Sequence, residues 1–228
     1  MVFAFRLISF GRMSRRGKFI TFEGLDGSGK TTQMRMLAER LRQQELEVIE
    51  TVEPGGTTIG TAIRRILLDP AHDNMGFTAE MLLYFAARAQ NVDELLEPAL
   101  AKGAIVLSDR WTDSTFAYQG HGRRLGEQIV ADLDRIACRG RTPDLTLWLD
   151  TDPELSLSRA RHRNTQLSSA GTRMDEQSQA FYDRVLQGYR ALAEREPDRF
   201  VRVHGDGAPE HVAERVWETY SRWEAGRV

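Results

Sequence analysis

Residues 24 to 32 read Gly-Leu-Asp-Gly-Ser-Gly-Lys-Thr-Thr. Gly24, Gly29, Lys30 and Thr31 fit the spacing G-x-x-x-x-G-K-[ST], a loop built to wrap a polyphosphate. Polyphosphate carries too many oxygens to be gripped by side chains alone, so backbone must approach it closely. Gly24, Gly27 and Gly29 permit that approach and allow positive φ. The amides from Leu25 and Asp26 through Ser28 to Thr32 would then point at the anion, helped by the positive end of the helix that follows. In this pattern Lys30 reaches the β and γ phosphates of ATP, and the Thr31 hydroxyl holds Mg²⁺. A glycine loop of this kind specifies a nucleoside triphosphate, not what is done with it.

Other residues could extend that chemistry. Asp109 ends an apolar run, Ile105-Val106-Leu107-Ser108, where a carboxylate can bind Mg²⁺ directly or through water. Arg110 follows it, and Arg64 and Arg88 add two more guanidiniums. Tyr84 and Arg88 are four apart and share a helix face, a pairing of plane and hydrogen-bond fork that suits a nucleobase and also occurs as a plain helix contact. Arg159, Arg161, Arg163 and Arg173 flank a small polar stretch, Asn164 to Gly171. A solvated basic helix end would look the same. The functional reading is a lid over about residues 159–174 that brings guanidiniums to a phosphoryl group in flight, with Arg159 and Arg163 as the catalytic candidates.

These residues need a scaffold. Apolar strands at Phe19–Glu23, Val48–Thr51, Ala104–Ser108, Leu145–Leu149 and Phe200–Val203 alternate with amphipathic helices. Such alternation predicts an α/β fold, a five-stranded parallel sheet with helices on both faces. Ligands in these sheets bind beyond the carboxyl ends of the strands, where the glycine loop, Glu53 and Asp109-Arg110 all lie. Thr58 is a candidate cap for a helix carrying Ile59, Ile63, Ile66 and Leu67. A long helix is expected from Thr78 to about Ala101, and residues 111–124 read as an irregular polar and aromatic loop.

Composition sets limits. The 228 residues carry a net charge of −2, which gives no general basic field for nucleic acid, and no stretch approaches the length of a membrane span. Cys138 is the single cysteine, which fits a reducing compartment such as the cytoplasm. The five histidines are scattered without ligand spacing. Residues 1–16 precede the first strand and read as a loose extension, an upstream start with translation from Met13, or a basic presequence; the first two are preferred. Residues 17–228 read as one P-loop domain of ordinary size.

Several segments together resemble the bacterial thymidylate kinases, which are P-loop nucleoside monophosphate kinases. They are GLDGSGKTT (24–32), EPGGT (53–57), IRRILLD (63–69), AARAQ (86–90), SDRWTDSTFAYQGHGR (108–123), RARHR (159–163) and DEQSQAFYDRV (175–185). The resemblance implies transfer of the ATP γ-phosphoryl group to dTMP, giving dTDP. It implies that Arg110 meets the acceptor phosphate, with Arg64 and Glu53 near that phosphate and the magnesium. Arg88, Thr115 and Gln119 would meet the thymine edge, and Tyr84 sits where the family usually stacks a phenylalanine on the base. Tyr118 matches the aromatic that crowds the sugar, and Asp26 an acid directed towards the acceptor. A homodimer is implied as well. Two positions depart from the pattern. Val52 stands where many bacterial members have arginine, and Gly27 stands where eukaryotic-type members carry an arginine in the loop.

Two rivals remain open at this stage. One is a kinase for another nucleoside monophosphate; the other is a P-loop protein that binds nucleotide without an acceptor.

Overall fold

The computed structural model describes residues 16–166 and 177–226. Expectations placed on residues 1–15, on the side chains of Arg161 and Arg163, on Arg173 and on residues 167–171 of the small polar stretch lie outside the described residues; the first three residues of that stretch, 164–166, are the last of a helix and not part of a loop.

Five strands, β1 (Lys18–Glu23), β2 (Val48–Val52), β3 (Ile105–Asp109), β4 (Leu145–Asp150) and β5 (Phe200–His204), form one parallel sheet in the order β2-β3-β1-β4-β5. β1 is central. Its Phe19 and Thr21 point to one face and its Ile20 and Phe22 to the other, and all four are fully buried. That two-sided burial is what a helix-covered parallel sheet requires. Ile20, Phe22 and Leu107 pack with Met34, Leu37 and Leu41 of α1 (Lys30–Arg42). The same cluster takes in Val212, Val216 and Tyr220 of α9 (Pro209–Glu224). On the other face Phe19 and Val106 pack with Met81 and Phe85 of α3 (Phe77–Asn91) and with Trp111 and Val130. Each such fully buried side chain contributes roughly 1.5–3 kcal/mol of transfer free energy.

The parallel register puts Phe22 beside Asp109 and Val52 beside Asp109. The ends of β1, β2 and β3 therefore lie at one rim. α2 (Thr58–Leu68) begins after the β2 loop, and its cap is Thr57, not Thr58: the Thr57 hydroxyl accepts from the Gly60 N–H at 2.9 Å. The expected long helix is continuous but not uniform. α3 passes through a π-helical segment, Val92–Leu96, into α4 (Glu97–Ala101).

The stretch after β3 corrects the expectation of an irregular loop. It is helical, as α5 (Thr112–Thr115) and then a π-helical segment over Phe116–Gly122. The polar side chains Thr112, Asp113, Ser114 and Thr115 are buried, so the usual apolar periodicity is missing although the backbone is helical. α6 (Glu127–Ala137), α7 (Pro153–Gln166) and α8 (Gln179–Arg195) complete the cover. Phe181, Tyr182 and Tyr189 of α8 pack with Tyr118 and Trp148.

Candidate active site

The glycine loop has the local geometry its residues call for. Gly24, Gly27 and Gly29 have φ of 138°, 80° and 92°. A Cβ on Gly27 would lie 2.0 Å from the Ser156 carbonyl oxygen. The backbone of α7 therefore occupies the place an arginine there would need, which accounts for one departure from the family pattern. Lys30 donates to the Gly24 and Leu25 carbonyls at 3.1 and 2.7 Å. Burial, with Arg110 nearby, lowers its amine to about 8. An arriving polyanion would favour the protonated form again.

The loop opens onto a cleft of about 760 Å³. Its lining brings together Asp26 to Thr32, Glu53, Arg64, Tyr84, Arg88, Asp109, Arg110, Thr115, Tyr118, Gln119 and the exposed Arg159. Gly24 and Leu25 are not in the lining; their carbonyls serve Lys30 instead. Val52, the other departure, also lines the cleft, as do Pro54, Leu68, Gly205, Gly207 and Pro209.

At the β3 end the Thr31 hydroxyl donates to Asp109 Oδ2. A hydroxyl and a carboxylate oxygen side by side at the loop form the hard-oxygen pair that Mg²⁺ takes when phosphates and water supply its remaining ligands. The residues present thus fit the implied ion.

Arg110 sits in left-handed backbone, φ 77°, which costs a non-glycine residue roughly 1–2 kcal/mol. Its guanidinium donates to Asp26 Oδ1 and Ser114 Oγ, each at 2.8 Å, and to Tyr118 Oη at 3.3 Å. Burial opposes its charge, but Tyr118, Asp26 and Tyr189 hold it well above the ordinary arginine value.

What keeps that backbone in place is a residue the sequence reading did not single out. Glu23 is fully buried at the end of β1. Its carboxylate accepts from the Trp111 N–H at 2.8 Å, the Ser114 hydroxyl at 2.5 Å and the Tyr189 hydroxyl at 3.0 Å. Burial and Asp113 push it up to about 7, against the pull of Arg110 and its hydrogen bonds. An acid closing a buried strand next to the glycine loop was the available signal for Glu23. Tyr189, 166 residues away, had none. Asp113 is held by Arg199, at 2.8 and 2.9 Å, and by the Thr146 hydroxyl at 2.9 Å, so α5 is pinned to the sheet from below.

The other end of the cleft is a polar wall. Arg88, only 1% exposed, donates to Glu53 Oε2 at 2.5 Å and to Thr115 Oγ1 at 3.1 Å. Burial pushes Glu53 up to about 7, with Arg88 lowering it only in part, and its Oε1 has no partner. Arg64 donates to the Pro54 carbonyl at 2.7 Å. Tyr84 lies on the same lining as Arg88, as their helical spacing requires.

The family model for thymidylate kinase matches residues 22–216. The chain belongs to the thymidylate kinase family. A thymidylate kinase of an Exiguobacterium strain is 43% identical over 213 residues, covering 93% of this chain and 98% of its own. One from Geobacter sulfurreducens is 46% identical over 201 residues, covering 88% and 94%. The crystal structure of thymidylate kinase from Ehrlichia chaffeensis superposes with a TM-score of 0.72 at 29% identity, covering 90% of this chain and 98% of that one. The α/β architecture predicted for a P-loop kinase is the one observed in this family member. No described helix is long and apolar enough to cross a membrane.

Proposed function

We propose that this protein transfers the γ-phosphoryl group of ATP to dTMP, forming dTDP and ADP, in the cytoplasm. The observation that carries the reading is the position of Arg110. It lines one cleft together with the glycine loop and with Arg88, Thr115 and Gln119, and its guanidinium is bonded to Asp26 of the loop at 2.8 Å. A triphosphate on the loop and a pyrimidine on the wall would direct their phosphates at each other across Arg110. Family membership supports both substrates.

The acceptor is a phosphate monoester with a second pKa of about 6. Near neutrality it is already mostly a dianion, so the site needs no general base. Its task is to let two anions meet. Lys30 and the loop amides take the β and γ phosphates, and Arg110, with Arg64 beside it, takes the acceptor phosphate. Thr31 and Asp109 would hold Mg²⁺, which when bound offsets charge on the phosphate oxygens. Arg159 at the cleft mouth adds positive charge, and Asp26 holds the Arg110 guanidinium in its working orientation. Tyr118, whose hydroxyl meets both Arg110 and Asp26, would crowd the sugar.

An ADP-release assay with dTMP, dUMP, dCMP, GMP and AMP as acceptors tests this. The highest kcat/KM is expected with dTMP. Best turnover of AMP or GMP would show that the wall reads another base, and ADP release indifferent to acceptor would point to a nucleotide-binding protein without an acceptor site.

We further infer a homodimer. α2, α3 and α6 lie side by side and leave large apolar side chains on their surface: Ile59 and Ile66, Phe77 and Leu82, Ile129 and Ile136. Scattered single apolar residues are ordinary on a monomer, whereas a patch shared by adjacent helices marks an interface.

A further inference from the structure

Glu80 is the odd acid in this molecule. It lies in the first turn of α3, where an acidic side chain would ordinarily reach water and favour the helix dipole. Instead it is fully buried. Its Oε1 accepts from Gln119 Nε2 at 2.8 Å and from Arg123 Nε at 3.2 Å, and its Oε2 accepts from Arg123 Nη2 at 3.1 Å. The Arg123 side chain is itself 6% exposed and lies over the rings of Phe77 and Phe181. Burying such a pair costs desolvation that its attraction barely repays, so a role in specificity is the better reason to keep it than stability.

We propose that Glu80 is a positioning residue that sets base selectivity by fixing which end of the Gln119 amide the cleft sees. The chemistry leaves little choice. An ionised carboxylate only accepts hydrogen bonds, and Arg123 only donates. Glu80 therefore takes the amide NH₂ of Gln119 and leaves its carbonyl oxygen for the cleft, whose lining Gln119 shares with Arg88. The wall then shows an acceptor from Gln119 and donors from Arg88. A thymine or uracil ring answers both, with a donor at N3–H and an acceptor at O4. Cytosine reverses both, with a lone pair at N3 and an amino group at C4. Two buried mismatches of this kind are heavily penalised, since each leaves polar groups desolvated and unpaired.

The inference rests on the proposed dTMP kinase reading and adds to it the residue that enforces one base edge. The test compares kcat/KM for dTMP and dCMP by ADP release. Glu80→Gln can donate as well as accept, so Gln119 is freed to turn. The dTMP:dCMP ratio should fall about tenfold or more, the loss associated with a single buried hydrogen-bond mismatch. In a Gln119→Met background the same Glu80→Gln change should move the ratio less than twofold, because the group it acts through is gone. Thermal midpoints of each variant report whether it folds. If Glu80→Gln does not fold, the wild-type protein still decides. N3-methyl-dTMP, which lacks the N3–H, should then be used at least tenfold less well than dTMP, and equal use overturns the inference. A ratio unchanged in folded Glu80→Gln, or an equal fall in the Gln119→Met background, also overturns it and leaves the kinase reading intact. A wild-type protein inert to dTMP would remove the kinase reading and this inference with it.

Discussion

Arg110 and Glu23 divide the work of the acceptor end between them: one carries the charge, the other holds its carrier in an unfavourable backbone conformation. Arg110→Ala should lose about two to three decades of kcat/KM, the scale seen when one preorganised donor to a developing charge is removed. The fold should survive, because Arg110 borders a cleft and is not part of the core. ADP-release kinetics with a circular-dichroism melt on the same sample check both halves. Glu23 makes a pH prediction. Its carboxyl titrates at about 7 in the fold, against a reference near 4.5, so between those values the folded chain binds more protons than the unfolded one. Its contribution to stability is complete below pH 4.5 and is lost as pH rises through 7. Glu23→Gln removes the titration. Urea midpoints of wild type minus variant should decline across that window and level off above it; a difference flat from pH 4.5 to 7.5 would contradict burial as the dominant influence. Of these residues Arg110 was legible in the sequence, since a strand end announces it. The Tyr189 hydroxyl on Glu23 was not, because it arrives from an element far along the chain.

At the scale of elements, the segment Phe116–Gly122 carries Tyr118 and Gln119 and leans on α8. Two glycines allow the contact. A Cβ on Gly188 would lie 2.9 Å from the Ala117 Cα, and one on Gly122 would lie 2.7 Å from the Phe181 ring. Gly188→Ala meets backbone that cannot swing aside. It is expected to cost about 1–3 kcal/mol by overpacking, read as a lower thermal midpoint, and to raise KM for the nucleoside monophosphate more than KM for ATP. Equal rises in both would mean that α8 does not set the position of this segment. The strands were readable because both faces of β1 are apolar. The helical nature of residues 112–122 was hidden because Thr112, Asp113 and Ser114 are buried and spend their polarity on the buried Glu23 and the half-buried Asp134 and Arg199. A pattern search for an apolar stripe passes over such a helix. The Thr57 cap displaced the expected Thr58 for a simpler reason. Either threonine can serve, and the backbone of Thr57 is extended where a cap must be.

At the scale of the whole molecule, the parallel sheet explains why distant segments share one cleft. The loop after β1, Glu53 after β2 and Asp109-Arg110 at the end of β3 converge because all three strands run the same way. That convergence could be deduced from the alternation of strands and helices alone. The part of the lining made by Gly205, Gly207 and Pro209 beyond β5, where the Pro209 carbonyl accepts from Gln33 of α1, could not, since these residues carry no side-chain chemistry of their own. The apolar surface of α2, α3 and α6 makes a separate prediction. Ile66→Asp and Ile136→Asp should shift the mass measured by sedimentation from two chains towards one. On a monomer, exposed substitutions of this kind change stability by only about 0.5 kcal/mol and leave the mass alone. The central claim, that one cleft brings a triphosphate and a thymidine monoester together, is tested most directly by ³¹P NMR of the protein with Mg²⁺, ATP and dTMP. The dTMP resonance should give way to the two resonances of dTDP while ADP accumulates in equal amount. Inorganic phosphate growing in place of dTDP, with dTMP untouched, would contradict it.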